Sequence, residues 1–512
     1  MNENNDTNKK KLMDQFISIL GEDAVLGEEE QIEEFKDPYG PNDSDKYQPL
    51  LVVQPSTVEE VQDIVKLANE LDIHLWSSGQ GRNFGYGGSS PVVSGSVIVN
   101  FRRMNKILEI NEEDGYALVE PGVSFDQLYK EIQSKGYKLM MSVPDLGWGS
   151  IVGNSSQHGY GYTINGEHAK AINGMEVVLA NGEVLRTGQG AKADSKMWQR
   201  HDRGFGPHLD DLFKQSNFGI ITKMGVRLEP QPEKITAGYI YYDGKDIEKV
   251  VDVIKPLVMD KTIQGVPLLY SNLIIGEVGD NRKDLFQKAE DGGMRMPARW
   301  VFRIQFYGQE NMVNARVENV KKAFENLPEV KIEVETYVGN VKKEDVKPEH
   351  LVPAGIPNML MLEQVKNSFG DSVGHIEFAP VIPFDGKELL EVEEVVQNVL
   401  EEYGLFGMTG TAMHTRSLVP ITMIYFDTND PNQVKAGYEA AKRLVKEVGE
   451  LGYTEYRAHV SLMDDIAKEL DFNDHALHKF YTKIKDALDP KGILSPGSHG
   501  IWPSNFKDGE DQ

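Results

Sequence analysis

Two kinds of residue in this chain have types and spacing that could do chemistry. The first is an imidazole: His375 opens the stretch "HIEFAPVIPF", an apolar run with strand character. A histidine at a strand end is most often structural, but imidazole also exchanges protons near neutral pH. The second is a set of glycine clusters. "GQGRNFGYGG" holds five glycines in ten residues, and "DLGWGSIVGNSSQHGYGY", "QSNFGIITK" and "SPGSHG" repeat the theme along the chain. Glycines let backbone amides approach a ligand closely, and consecutive free N–H groups make a nest for an anion. None of these segments matches G-x-x-x-x-G-K-[ST], or a clean G-x-G-x-x-G opening a helix, so neither a P-loop nor a Rossmann site is indicated. Backbone from several segments wrapping one large, extended ligand would need this pattern. A dinucleotide is the natural candidate.

The elements that must position these residues fall into two grammars. "PLLVVQP" reads as a strand, and "STVEEVQDIVKLANELDI" as a helix opened by a capping box, Ser56 with Glu59 or Thr57 with Glu60. Val58, Val61, Ile64, Val65 and Ala68 fall at helical spacing for a core. "HLWSS" completes a β-α-β unit and runs into the first glycine cluster. From there to about residue 230, short strands alternate with Gly- and Asn-rich turns, and Asn181-Gly182 marks a hairpin. After "PQPEK" the pattern changes to "ARWVFRIQFYG", "NARVENVKKAFENL", "KIEVETYVG", and then "GHIEFAPVI", "GKELLEVEEVVQNVLEEYG", "LVPITMIYFD", "QVKAGYEAAKRLVKEVGELG". Two strand–helix–strand sets predict an antiparallel sheet with helices on one face, an α+β arrangement. The last sixty or so residues return to Gly/Pro turns. The expected division is a discontinuous first domain, 1–233 with 453–512, around an inserted second domain, 234–452.

Bulk properties narrow the function. At 512 residues the chain exceeds what one core supports. A net charge of −26 argues against nucleic acid and against an anionic membrane surface. With no cysteine, disulfides, thiolate nucleophiles, Cys-ligated zinc and iron–sulfur clusters are excluded, and no metal site is read. The Lys triplet near the N-terminus precedes apolar positions broken by Asp14 and Gln15, which reads as an amphipathic helix and not a signal peptide. No apolar run reaches the about 18 residues of a membrane span. A soluble, cytoplasmic protein is expected.

The motifs "GRNFGYGG", "VEPGVSFDQLY", "VPDLGWGSIVGN", "GMEVVLANGEVLRTG", "QSNFGIITKMG" and "EYRAHVSLMD" together resemble one family over nearly the whole chain. It is the vanillyl-alcohol-oxidase type of flavoprotein, in the branch acting on para-substituted phenols that includes vanillyl-alcohol oxidase, eugenol oxidase and 4-cresol methylhydroxylase. The resemblance implies an α+β FAD-binding domain with an α+β cap. It also implies FAD oxidation of 4-alkylphenols, 4-hydroxybenzyl alcohols or eugenol-like allylphenols through a p-quinone methide. Cofactor-binding positions carried over are Gly81, Arg82, Asn83, Gly85 and Gly87, then Pro144, Leu146, Gly149, Ser150, Gly153 and Asn154, then Asn217, Gly219 and Ile220. His375, in "H-I-E-F-A-P", matches the histidine that bonds the flavin 8α-carbon, a bond that raises the flavin potential. His414, in "TAMHTRS", is the rival histidine.

Tyr86 and Tyr456-Arg457 resemble the trio that binds the phenol oxygen, two O–H donors and a guanidinium suited to a phenolate. Asp145 resembles the carboxylate beside flavin N5. A buried carboxylate without a salt bridge would have a raised pKa and serve acid–base work. Tyr162 is expected to line the same pocket. The chain also departs from the pattern. "DPYGPNDSDKYQP" lacks a histidine that assists flavin attachment, Ser498 replaces a lysine, and Glu377 stands where an aromatic lines the pocket. The short connection "GAKADSKMWQRHDRGFGP" favours a homodimer. A histidine at 375 points to an oxidase using O2 and releasing hydrogen peroxide. The alternatives are a dehydrogenase passing electrons to a cytochrome or another acceptor, an α-hydroxy-acid oxidoreductase, and a flavin-binding protein without turnover. For the hydroxy acid a cationic residue would be needed to hold a carboxylate.

Overall fold

The computed structural model describes residues 3–41, 46–242, 246–271 and 300–506. Strands Leu51–Val53, Val97–Asn100 and Leu75–Ser78 form a parallel sheet, edged antiparallel by Val25–Leu26. Helix Val58–Leu71 crosses over between two of them and buries Val61, Ile64, Val65 and Ala68. Thr57 is its N-cap, accepting from Glu60 N at 3.1 Å, while the Glu60 carboxylate reaches back to Ser56 N at 2.6 Å. The box is therefore spread over both candidate serine/threonine positions. The N-terminal helix, Glu3–Leu20, lays Phe16 and Leu20 on the same core.

A second sheet is wholly antiparallel, in the order Ile107–Asn111, Tyr116–Val119, Ile220–Arg227, Ile172–Val178, Val184–Arg186. Its last hairpin turns at Asn181-Gly182, where Gly182 takes φ +82°. A side chain in that left-handed conformation would be strained, so glycine is required there.

The third sheet has eight strands, seven of them in the order Val330–Val338, Lys234–Tyr242, Trp300–Gly308, Leu268–Ser271, Phe406–Met413, Ser417–Asp427, Val373–Phe378, and every pairing is antiparallel. Residues Ala298 and Arg299 of the expected strand "ARWVFRIQFYG" lie outside the described residues. Strands Lys234–Tyr242 and Phe406–Met413 and helix Ile247–Met259 complete the two sets read from the pattern. Side chains alternate across a strand, so each strand has two faces. Ile240, Phe302, Ile304, Ile376, Phe378, Ile424 and Phe426 pack with helices 247–259, 386–402 and 431–450 in one core. The out-of-phase positions, among them Tyr239, Tyr270, Val301 and Ala412, pack towards the second sheet instead.

The chain then returns to the first sheet. Leu75 N donates to Ile493 O and Ser495 N to Leu75 O, each at 2.7 Å. Lys485 and Asp489 hold this return from inside, in a wholly buried ion pair at 2.8 Å. Lys485 Nζ also donates to Asn217 O and Leu494 O, and Asp489 accepts from Ile493 N and Leu494 N. Every polar atom of the pair is thus used to fix two glycine-rich segments against each other. Removing one partner of such a pair strands a buried charge, at a cost of about 3–5 kcal/mol. Lys485→Met should lower the urea midpoint accordingly. An unchanged midpoint would show that the pair does not hold the fold together.

Candidate active site

A cavity of about 490 Å³ lies between the glycine-rich segments and the third sheet. One wall comes from the glycine-rich segments: Gly79–Asn83, Pro144–Leu146, Trp148–Ser150 and, on the short helix Ile151–Ser156, Gly153–Asn154, with Ser216, Gly219, Ser495 and Ser498. The opposite wall is the out-of-phase face of the sheet, which contributes Tyr239, Tyr270, Arg303, Glu377, Ile421 and Met423. Strand phase therefore decides which side chains enter.

At one end Tyr86, Tyr456 and Arg457 converge. The Tyr86 and Tyr456 hydroxyls are 3.5 Å apart, and the Arg457 guanidinium lies 4.3 Å from the centre of the Tyr86 ring. Tyr86 sits on the one-turn helix Phe84–Tyr86, which Gly87 ends at φ +95°. Tyr456 is clamped from three sides: its N donates to Ala379 O, its O accepts from Gln215 Nε2 at 2.7 Å, and its ring stacks on Tyr160 at 4.8 Å. Burial pushes the Tyr86 and Tyr456 hydroxyls above the ordinary phenol range, so both are neutral donors. Glu377 enters the cavity lining from the sheet. His375, two residues back on the same face, points its Nε2 at Glu377 Oε1, 3.5 Å away. A Cβ at Gly85 would lie 2.7 Å from Glu377 Oε1 and 2.8 Å from His375 Nε2. That glycine makes room for protein side chains.

Asp145 and Tyr162 both line the cavity, but Asp145 does not have the unpaired setting expected of it. Arg303 Nη1 donates to Asp145 Oδ1 at 2.9 Å, and the Arg303 guanidinium lies 4.2 Å from the centre of the Tyr162 ring. Asp145 is therefore an ion-paired carboxylate held by a guanidinium, not the carboxylate without a salt bridge that was expected. Burial weakens the hold of Arg303 on its proton, but Asp145 and the surrounding tyrosines outweigh this and push its pKa up. Arg303 was missed in the sequence because its partner is 158 positions away. A signal was present in "WVFRIQFYG": arginine and glutamine at alternate positions of an otherwise apolar strand mark the face that is not lipid-like core.

The remaining candidates sort by depth. Gly81, Arg82, Asn83, Pro144, Leu146, Gly149, Ser150, Gly153, Asn154 and Gly219 line the cavity; Gly85, Gly87, Asn217, Ile220 and His375 do not. Asn217 sits behind the wall, its Nδ2 donating to Ser495 O and Ile501 O. Ile220 is in the core of the first sheet. His414 pairs with Glu167 at 3.0 Å and packs on Tyr160, outside the lining. Ser498 Oγ bonds His499 Nδ1 at 2.9 Å, and burial drives His499 down to about 3, leaving it neutral.

This wall fits an extended dinucleotide. Ser150 spends its hydroxyl on Gly153 N and Pro121 O, and Asn154 accepts from His168, so backbone and not side-chain charge faces the cavity there. Trp148 lines the cavity with an indole N–H that has no partner among the described residues, a donor free for a ligand. Arg82, paired with Glu34 at 3.1 Å, lies over the Trp148 ring.

Two family models match the chain, an FAD binding domain over residues 49–188 and the C-terminal domain of FAD linked oxidases over residues 280–499. The 4-cresol dehydrogenase [hydroxylating] flavoprotein subunit of Pseudomonas putida is 34% identical over 511 residues, covering 97% of this chain and 96% of that protein. A solved 4-ethylphenol oxidase from Gulosibacter chungangensis, in complex with isoeugenol, superposes with TM-score 0.89 at 32% identity, covering 99% of both chains. A p-cresol methylhydroxylase with substrate bound superposes with TM-score 0.88 at 33% identity, over 97% of this chain and 98% of that one.

Next to Tyr456, Glu455 is partly buried, with Oε2 accepting from Ala379 N at 3.1 Å and a buried Oε1 without a partner among the described residues. Burial raises its pKa to about 8. A carboxyl whose folded pKa lies above its unfolded value holds its proton more tightly when folded, so stability falls as pH rises from about 4.5 through about 8. Glu455→Gln should flatten that fall, raising Tm relative to the wild type at pH 8.5 and changing it little at pH 4.5. A Tm difference that does not depend on pH would contradict the assignment.

Proposed function

Because the chain belongs to the vanillyl-alcohol oxidase and 4-cresol methylhydroxylase family of FAD-dependent flavoproteins, we propose that it oxidises para-substituted phenols. The observation that carries this reading is the meeting of Tyr86, Tyr456 and Arg457 at one end of a cavity whose lining also includes Asp145. The phenol oxygen binds at the trio, where a full positive charge and a neutral O–H donor favour its anionic form in a site with little water. Anionic oxygen pushes electrons through the ring, so a hydride leaves the first carbon of the para side chain and a p-quinone methide remains. FAD, when bound against the glycine-lined loops, supplies the hydride acceptor. Asp145, pinned by Arg303, holds a negative charge near the carbon end and orients water for addition to the quinone methide. Tyr162, packed on Arg303, keeps that end closed.

We assign the covalent flavin bond to His375 and not His414, the sheet position of His375 beside the Gly85 turn being the support. His375→Ala should leave FAD in the supernatant after acid precipitation, whereas the wild-type pellet stays yellow. A colourless wild-type pellet would remove the bond. The division at 1–233 with 453–512 and 234–452, a homodimer and a cytoplasmic location belong to the same proposal.

Oxygen is the proposed acceptor. The 4-ethylphenol oxidase likeness supports it, and the full-length identity to a dehydrogenase flavoprotein subunit supports a cytochrome instead. Aerobic turnover of a 4-alkylphenol with stoichiometric hydrogen peroxide would decide for oxygen. Reduced enzyme that reacts with oxygen no faster than free flavin would decide for the cytochrome. Arg457→Gln removes the one full positive charge at the trio and should slow flavin reduction about a hundredfold, the roughly 3 kcal/mol of a charge-assisted bond in a dry site. An unchanged rate would exclude Arg457 from the phenolate site.

A further inference from the structure

The stretch "DPYG", Asp37 to Gly40, has no part in the reaction as described, yet it meets both segments that carry the trio. The Asp37 side chain is 11% exposed, and its Oδ2 accepts from the Tyr438 hydroxyl at 2.6 Å and from His459 Nε2 at 3.0 Å. Its Oδ1 accepts from Tyr39 N at 3.0 Å. His459 is 1% exposed, and Ser461 N donates to its Nδ1 at 3.1 Å. A backbone N–H can only donate, so Nδ1 carries no proton and Nε2–H is the group aimed at Asp37.

This pair sits directly behind the trio. His459 follows Arg457 by two residues, and Val460 N donates to Tyr86 O at 3.4 Å. A Cβ at Gly87 would lie 2.7 Å from Val460 Cγ2 and 3.1 Å from His459 Nε2, and one at Gly88 would lie 3.0 Å from Lys36 O. The Tyr86 turn is thus closed in by residues 36–38 on one side and 459–460 on the other. Within the trio the contacts are loose: two hydroxyls 3.5 Å apart and a guanidinium resting on a ring. The alignment has to be imposed from behind.

We propose that the Asp37–His459 pair positions Tyr86 and Arg457 on the phenol oxygen, an inference that rests on the phenol-oxidising reading of the same cavity. Neither Asp37 nor His459 lines the cavity, although Ala458 and Val460 do, so both are positioning residues that act through their neighbours. Removing the His459 donor leaves a buried carboxylate short of one partner, and the carboxylate and residues 459–460 shift to repair the loss. A misplacement of about 1 Å can cost about a hundredfold in rate.

The test compares H459F, which keeps a ring and loses the donor, with H459Q, whose amide N–H can return to Asp37. Each holoenzyme is read in three ways. Anaerobic flavin reduction by 4-ethylphenol reports the reaction, and the difference spectrum of bound 4-nitrophenol, which has no hydrogen on its para atom to lose, reports ionisation at the trio. Flavin reduction by dithionite needs no phenol oxygen and serves as the control. H459F should slow reduction by 4-ethylphenol roughly ten- to a hundredfold and raise the apparent pKa of the bound probe by about one unit, with dithionite reduction unchanged. H459Q should stay close to the wild type in all three. Wild-type values for H459F with both phenols overturn the proposal, as does H459Q no better than H459F, or a dithionite rate that falls in the same proportion. Should H459F not fold, Y438F removes a different donor from Asp37 and should shift both phenol readings in the same direction; wild-type values there overturn the proposal too. A wild type that binds no probe and is bleached by no phenol would instead take down the phenol-oxidising reading itself.

Discussion

A cavity walled by backbone and aromatic rings can hold charge only in pairs. In a medium of low dielectric an unpaired ion is too costly, while a pair with good geometry is tolerated. Six charged side chains among the described residues line one cavity: Arg82, Asp145, Arg303, Glu349, Glu377 and Arg457. Arg303 and Asp145 close one end at 2.9 Å, while at the other Arg457 lies over the Tyr86 ring and Glu377 sits beside His375. The chemistry proposed for this protein follows from that arrangement. The Asp145 end pairs its carboxylate with Arg303, whereas the trio end offers the Arg457 guanidinium to an incoming phenol oxygen.

These charges come from both walls of the cavity. Asp145 and Arg457 come from glycine-rich and return segments, Arg303 and Glu377 from strands Trp300–Gly308 and Val373–Phe378. They meet in one cavity only if sheet and loops are held in register, and the buried Lys485–Asp489 bridge does part of this by tying the return segment to Asn217. Stability and site geometry are therefore not separable here. A change that loosens the return segment moves Tyr456 and Arg457 as well.

The β-α-β opening, the hairpin at Asn181-Gly182 and the helix caps were legible because their determinants are local: a period, a turn dipeptide, a side chain reaching three or four residues. The glycine clusters indicated a backbone-lined ligand site, and the loops they form do line the cavity. Tyr86, Tyr456 and Asp145 entered through resemblance, since nothing local distinguishes a tyrosine in a glycine loop from an ordinary packed one. What could not be read was the pairing across the interior. The setting of Asp145 depends on Arg303, and Glu377 gains meaning only when strand phase brings it into the cavity. Gly85 carries the same lesson, since the space it leaves is filled by Glu377 and His375.

The central claim is that an ionisable phenol oxygen, seated among Tyr86, Tyr456 and Arg457, drives the oxidation. The most direct measurement is anaerobic flavin bleaching by 4-ethylphenol beside its methyl ether, which has the same para side chain but no proton to give up. The account predicts full bleaching by the phenol and none by the ether at matched concentration. Bleaching by both at the same rate would contradict it.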